Sequence, residues 1–398
     1  MFPRKILEKI IRFIDTDDIL LFYWARQTWK TSLMEYLKDN IIKKRSIFLD
    51  LEDPDDFENV NQGPKIFEKY LKTYHKRSEN EKIVVFIDEI QYLDNPTSLL
   101  KYVHDHYKNI KIITSWSSTL EIRKKFKDSL AWRLLKFDIY PLSFEEFLTF
   151  KWRSELTEYI WKTNNHDLPN IIEKELKFYY KEFITFWSYP KIALTDWEFE
   201  KKEYIKQLYE SYIQKDIKDI WQIEDIQWFN KLISILASQV WNLINKSEIS
   251  GKIWISLPTI NKRFALLENT FIIKTIYPYA ANIRGELIKT PKIFFIDNGI
   301  RNYSANDFSL NWALFENSFF CYINNAYKAN HINFFRTKEQ QKIDFILDDI
   351  PYELKIKYEW KWLLALSKFE NKIWKSGKVI TLDKGNWKWR ESFYPWEV

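Results

Sequence analysis

Leu20-Leu21-Phe22-Tyr23-Trp24-Ala25-Arg26-Gln27-Thr28-Trp29-Lys30-Thr31-Ser32-Leu33 is the stretch whose reading decides the fold. An apolar run enters a polar loop, and Lys-Thr-Ser opens a helical pattern. The layout is that of a phosphate-cradling loop, G-x-x-x-x-G-K-[ST], with tryptophan at both glycine positions. Glycine belongs there because the backbone must curl to aim its N–H groups at a phosphate. An indole at 24 or 29 would fill the space that the phosphates need.

The composition offers a reason for this mismatch. The chain has 19 Trp and only 6 Gly in 398 residues, where a globular chain carries roughly 7% Gly. Trp and Gly together come to about that share. Trp132, Trp187, Trp254 and Trp387 fall in sequence settings that read as turns or caps, where glycine supplies a positive φ. The expectation is that most of these tryptophans are UGA codons that the source organism decodes as glycine. The alternative is a Trp-rich chain with a dead phosphate loop. The readings below concern the glycine form; the chain as written should bind nucleotide poorly.

The length predicts two or three domains. A net charge of +6 is compatible with nucleic acid without demanding it. The one cysteine, Cys321, excludes an intramolecular disulfide and suits a reducing cytoplasm. No apolar run approaches the roughly 20 residues of a membrane span. Met1 to Ile14 reads as an amphipathic helix and not as a signal peptide.

Residues 1–150 alternate strand and helix patterns, which predicts an α/β fold with a parallel sheet. Strands are expected at Asp18–Tyr23, Ser46–Leu51, Ile83–Asp88, Lys111–Thr114 and Leu134–Tyr140. The chemistry follows from their ends. Lys30 can reach terminal phosphates, the Thr31 hydroxyl can ligate Mg²⁺, and the helix N-terminus favours an anion. Asp88 is placed to hold Mg²⁺ directly or through water, and Glu89 to take a proton from attacking water. Thr114 or Ser115 could hold that water or simply cap a strand end. Arg133 could stabilise transition-state charge, in its own chain or in a neighbouring subunit of a homo-oligomer; a structural salt bridge is the other reading.

These motifs resemble the bacterial and archaeal AAA-type ATPases that carry a C-terminal domain of unknown function, the 4143 family. The carrying segments are Tyr23 to Leu33, Phe86-Ile87-Asp88-Glu89-Ile90-Gln91, Thr114-Ser115-Trp116-Ser117-Ser118, and Ser129-Leu130-Ala131-Trp132-Arg133-Leu134. They are followed by Tyr140-Pro141-Leu142-Ser143-Phe144-Glu145-Glu146-Phe147. Reading Trp as Gly restores each pattern, and the likeness covers nearly the whole chain. It implies ATP and Mg²⁺ as cofactors, with nucleotide contacts from Trp24, Ala25, Arg26, Gln27, Thr28, Trp29, Lys30, Thr31, Ser32 and Ser115.

Residues 151–225 read as a helical connector. Residues 226–298 then read as a winged helix: helices at Lys231–Val240, Asn245–Ile253 and Pro258–Asn269, a turn at Trp254-Ile255-Ser256, and strands at Phe271–Tyr277 and Lys292–Asp297. Thr259, Asn261, Lys262 and Arg263 would face DNA, if the module does more than pack between domains. In residues 299–398, Asn311 to Asn317 matches the family's Gly-x-x-x-Glu-Asn pattern once Trp312 is read as glycine. Glu316, Asp344, Glu353 and Lys355 resemble a PD-(D/E)xK nuclease core, because period 2 puts Glu353 and Lys355 on one strand face. Carboxylates there could hold Mg²⁺ while the lysine orients water. The alternatives are a degenerate nuclease fold or solvated strand faces.

The expected protein is a cytoplasmic Mg²⁺-dependent ATPase coupled to a winged-helix and small α/β nuclease-like module, with DNA as a candidate partner and no membrane. Two rivals stand beside it. One is a regulator in which ATP only sets conformation, and the other is a protein-interaction scaffold.

Overall fold

A computed structural model describes residues 4–23, 30–76, 78, 81–116, 133–162, 168–186, 189–212, 226–279, 290–325, 332–336, 342–356, 366–367, 370, 376–383 and 392–397. The chain divides into two compact units, Met1–Tyr140 and Pro141–Val398. The first boundary therefore lies some residues before the expected 150.

The first unit runs α1 (Ile6–Ile11), β1 (Ile19–Tyr23), α2 (Lys30–Tyr36), β2 (Ser46–Asp50), α3 (Pro54–Asn61), α4 (Pro64–Thr73), β3 (Ile83–Asp88), α5 (Pro96–His106), β4 (Ile110–Trp116) and β5 (Leu134–Asp138). Its five strands pair in parallel in the order β2-β3-β4-β1-β5. Every residue of β1 and β3 is buried, as a parallel strand covered on both faces requires. The helix α3 has no counterpart among the expected elements. Its start signal was nonetheless present: Asp53 accepts from the backbone N–H groups of Asp55 and Asp56, with Pro54 in the first turn.

The second unit runs α6 (Phe144–Phe150), α7 (Ser154–Lys162), α8 (Asn170–Phe186), α9 (Pro190–Ala193), α10 (Glu198–Tyr212), α11 (Ile226–Ser238), α12 (Lys246–Ile253), α13 (Leu257–Asn269), β6 (Ile273–Pro278), β7 (Lys292–Phe295), α14 (Asn298–Ala305), α15 (Trp312–Asn325), β8 (Ile332–Arg336), β9 (Lys342–Leu347), β10 (Ile350–Lys355), β11 (Lys378–Thr381) and β12 (Ser392–Phe393). The Ser-Phe-Glu-Glu segment is a capping box. Ser143 and Glu146 exchange hydrogen bonds, with the Ser143 N–H on Glu146 Oε2 at 2.8 Å and the Glu146 N–H on Ser143 Oγ at 3.3 Å.

The helices α11 to α13 are followed in the chain by the antiparallel β6/β7 hairpin. The expected divisions at 225 and 298, however, fall inside one compact unit. Strand β6 pairs with β7 on one side and, at Tyr277 and Pro278, with β8 on the other. The hairpin is thereby the end of a seven-stranded sheet, β12-β11-β10-β9-β8-β6-β7. Phe294 of β7, Phe319 and Phe320 of α15 and Phe345 of β9 pack ring against ring across it, at centroid distances of 4.8–5.5 Å.

A polar knot fixes α14, a segment without a functional reading in the sequence. Asp297 Oδ1 caps the helix through the Ile300 N–H at 2.6 Å. Asn298 and Asn302 donate to the carbonyls of Ile184 and Thr185 at the end of α8, at 2.9 and 2.8 Å. Arg301 Nε donates to the Ala237 carbonyl in α11 at 3.2 Å. At Gly299 a Cβ would lie 2.8 Å from the Phe186 carbonyl oxygen, so only glycine fits this approach.

Among the described residues, nine non-glycine residues have positive φ, and three of them are Trp152, Trp241 and Trp254. Trp254 ends α12 in the left-handed region, φ 56° and ψ 39°, with its side chain exposed. For a bulky residue this costs roughly 1–2 kcal/mol. Trp132, Trp187 and Trp387 lie outside the described residues.

Two stability outcomes follow. Trp254→Gly raises the unfolding free energy by about 1 kcal/mol, measured as a higher urea midpoint; a lower midpoint would show that the indole is needed. Burial pushes Asp297 up to about 7, well above its unfolded value of about 3.9. The folded state therefore holds a proton that the unfolded state has lost, and stability falls as pH rises from about 4 to about 7. Asp297→Asn, still able to cap, should lose that slope; an unchanged difference between pH 4.5 and 7.5 would reject the assignment.

Candidate nucleotide site and acid pocket

The parallel register brings the expected catalytic residues to one sheet edge. Tyr23 at the end of β1 pairs with Trp116, Phe22 pairs with Ser115, and Thr114 pairs with Ile87, one residue before Asp88. The carboxyl ends of β1, β4 and β3 thus lie side by side, the edge where open α/β sheets bind ligands. Trp24 to Trp29 lie outside the described residues, as does the side chain of Lys30.

Asp88 is the centre of what is described. It is buried, 3% exposed. Thr31 Oγ1 donates to its Oδ2 at 2.5 Å, Ser115 Oγ donates to its Oδ1, and the Glu89 N–H lies 3.1 Å from Oδ1. The same Glu89 N–H donates to Ser115 Oγ at 2.8 Å, so Ser115 is a link between strand ends. Thr114 instead caps the Ile87 carbonyl at 2.8 Å. Glu89 sits in the left-handed region, φ 53°, an uncommon conformation that clusters at functional sites. Its carboxylate accepts from Gln91 Nε2. An oxygen pair such as Thr31 and Asp88, from the loop helix and the neighbouring acidic strand, is a donor set suited to Mg²⁺.

Arg133 lies elsewhere. Its carbonyl accepts from the Ile19 N–H at 2.8 Å, and Leu134 pairs with Ile19. That is the amino end of β1, the opposite edge from Thr31 and Asp88. Its guanidinium pairs with Asp105, Nε to Oδ1 at 2.8 Å and Nη2 to Oδ2 at 3.3 Å. Arg133 and then His104 hold the Asp105 carboxyl down to about 2. Within its own chain, Arg133 forms a structural salt bridge.

On α13, Asn261 and Lys262 are exposed, while Thr259 and Arg263 are half-buried. Thr259 is part of the helix cap, its N–H on Ser256 Oγ at 3.3 Å and its hydroxyl 2.8 Å from the same oxygen.

The four nuclease-like residues converge in one buried pocket of the second unit. Glu316 of α15, Asp344 of β9 and Glu353 of β10 are 0–2% exposed, and Lys355 is 7% exposed. Asp344 Oδ2 accepts from the Leu354 N–H at 3.0 Å, and Glu353 Oε1 from Lys355 Nζ at 2.7 Å. Asp344 Oδ1 and Glu353 Oε2 are buried without a hydrogen-bond partner among the described residues. Burial, reinforced by the Asp344 charge, raises the Glu353 carboxyl to about 8 against the pull of Lys355. Burial also raises Glu316, with the adjacent Lys292 ammonium opposing.

Sequence reading missed Lys292; the indole contact at 312 belongs to the chain as written and is lost where that position is glycine. Lys292 Nζ donates to Glu316 Oε1 at 2.9 Å, and Trp312 Nε1 to Glu316 Oε2 at 3.1 Å. Lys292 heads an apolar strand 24 residues before its partner, and nothing in local spacing announces such a pair. Lys342 Nζ lies 3.8 Å from Asp344 Oδ1. No group of three His, Cys, Asp or Glu residues is arranged to hold a metal among the described residues.

Among known families, residues 16–148 match an AAA domain, and residues 178–311 match a domain of unknown function, DUF8612. An uncharacterized protein of Haemophilus influenzae is 26% identical over 325 residues, 77% of this chain and 74% of its own. The uncharacterized protein MJ1544 of Methanocaldococcus jannaschii is 27% identical over 336 residues, 83% of this chain and 72% of its own. Among solved structures, the Aeropyrum pernix ORC1 protein in complex with DNA aligns at 10% identity over 77% of this chain and 93% of that chain, with a TM-score of 0.35. No helix among the described residues is long and apolar enough to cross a membrane. The AAA match coincides with the parallel sheet and its Thr31–Asp88 edge, so the N-terminal unit is similar to an AAA domain.

Proposed function

We propose that the chain, with glycine at positions 24 and 29, binds ATP with Mg²⁺ and hydrolyses it to ADP and phosphate. The carrying observation is the Thr31–Asp88 contact, which joins the hydroxyl after the phosphate loop to the buried acid of the third strand. In this reading Lys30 and the loop hold the phosphates, and Thr31 and Asp88 hold the metal. Mg²⁺ held there would supply charge that polarises the terminal phosphate. Glu89 receives a proton from water, and Ser115 fixes the backbone between Asp88 and Glu89. Arg133 has no part in this within one chain, because it lies at the far end of β1. The three tryptophans at positive φ support the reading of Trp as glycine, which the phosphate loop needs.

A second reading concerns the other unit. The buried pocket of Asp344, Glu353 and Lys355 supports a nuclease-like centre, with α13 offering Asn261 and Lys262 to DNA. Its observation is the pair of buried carboxylate oxygens, one on Asp344 and one on Glu353, that accept no hydrogen bond among the described residues.

The test uses the full chain carrying Trp24→Gly and Trp29→Gly. Glu89→Gln in that background should keep ATP affinity within a few-fold and lower turnover about 100-fold or more. Equal turnover in both chains would reject Glu89 as the proton acceptor, and absence of hydrolysis in the parent would favour a switch. Arg133→Ala should leave turnover within twofold and cost at most about 1 kcal/mol of stability. A large loss of turnover, seen only at concentrations where copies associate, would instead place Arg133 at a neighbour's phosphate.

A further inference from the structure

Gln91 closes the segment Phe86-Ile87-Asp88-Glu89-Ile90-Gln91, and the ATPase reading gives it no task. The backbone decides where it lies. Glu89 is in the left-handed region, φ 53° and ψ 48°, and the 3₁₀ turn Ile90–Tyr92 follows at once. The Tyr92 N–H closes that turn on the Glu89 carbonyl at 3.1 Å. Ile90 and Leu93 are buried, so the apolar side of the turn is anchored in the core. Glu89 and Gln91 are half-buried, and Gln91 Nε2 donates to Glu89 Oε2. The NH₂ is the end of the amide that fits there, since its oxygen would face a second acceptor.

Asp88 and Glu89 are held by different means. The Asp88 carboxylate accepts from Thr31, from Ser115 and from the Glu89 N–H. The same N–H meets Ser115 Oγ. These bonds fix the backbone of Glu89 but leave its long side chain several rotamers. The Gln91 amide acts on the carboxylate itself. A proton acceptor has to lie within hydrogen-bond reach of the water it serves, and a misplacement of about 1 Å can cost on the order of 100-fold in rate.

Resting on the reading of Glu89 as proton acceptor, we propose that Gln91 is a positioning residue for ATP hydrolysis, its amide holding the Glu89 carboxylate in the orientation that takes the proton. In that step the water oxygen bonds to the terminal phosphorus. The bond from phosphorus to the ADP oxygen breaks with its electron pair, and the water proton passes to Glu89. Gln91 acts on the step only through Glu89.

The experiment measures ATP cleavage, in steady state and in single turnover, by the full chain carrying Trp24→Gly and Trp29→Gly. Gln91→Met, Glu89→Gln and the two combined are compared in that background. Gln91→Met keeps the length of the side chain and removes its donor. It should lower kcat about tenfold and leave KM for ATP within about twofold. Where Glu89 is already Gln, the same substitution should change turnover by less than about twofold, because the carboxylate it serves is gone. A second loss of about tenfold in that background would overturn the role of Gln91. So would a Gln91→Met kcat equal to the parent's while Glu89→Gln is impaired, and Glu89 would stand as the acceptor. A Glu89→Gln turnover equal to the parent's, or no hydrolysis by the parent, would sink the acceptor reading and this inference with it. Thermal melting checks folding. If Gln91→Met does not fold, Gln91→Asn decides by the same comparison, because its amide stays polar but falls one methylene short of Glu89.

Discussion

A single buried carboxylate organises the first unit. Asp88 is removed from water at the carboxyl end of a wholly apolar strand, and burying such a charge is tolerable only if donors surround it. They come from three places: the helix after the phosphate loop, the end of the neighbouring strand, and the next backbone N–H. Each can reach it only because β1, β3 and β4 run parallel in a register that levels their ends. The electrostatics of one side chain and the topology of the sheet thus depend on each other. The left-handed turn at Glu89 follows, since the chain must fold back immediately to bring its N–H to Ser115.

The second unit meets the same problem differently. Its buried polar groups are shared among elements distant in sequence. Asn298, Arg301 and Asn302 close carbonyls at the ends of α8 and α11, and Asn317 bonds the backbone of Phe295 through both of its polar atoms. These contacts are directional, so they fix one packing of helices that apolar contacts alone would leave open. Glu316, the residue before Asn317 on the same helix, is held by Lys292 of the same strand β7.

Much of the first unit was legible in the sequence, because its signals are local. Ile83 to Asp88 announces a covered parallel strand by unbroken apolar character, and Lys30, Thr31 and Asp88 carry their chemistry in their spacing. The convergence of Glu316, Asp344, Glu353 and Lys355 was legible for a similar reason, since period 2 and the helix pattern fix which faces they occupy. What escaped is non-local. Arg133 reads as a catalytic arginine beside its neighbours, and only the strand register reveals which end of the sheet it occupies. Lys292 and Glu316 are joined by tertiary packing across a strand and a helix. The separateness of the hairpin was also illegible, because whether β6 ends a small module or continues a larger sheet depends on a pairing with β8 more than 50 residues away.

That shared strand has an architectural consequence. A winged hairpin that stood alone could be swapped between proteins as a cassette, since its outer edge would be finished. Here β6 has partners on both sides, so severing the polypeptide after residue 298 strips one of them and exposes raw backbone donors and acceptors, a template for aggregation. The hairpin β6/β7 and the strands β9 and β10 are therefore parts of one mechanical body, and force applied at one is borne by the hydrogen-bonded ladder that supports the other.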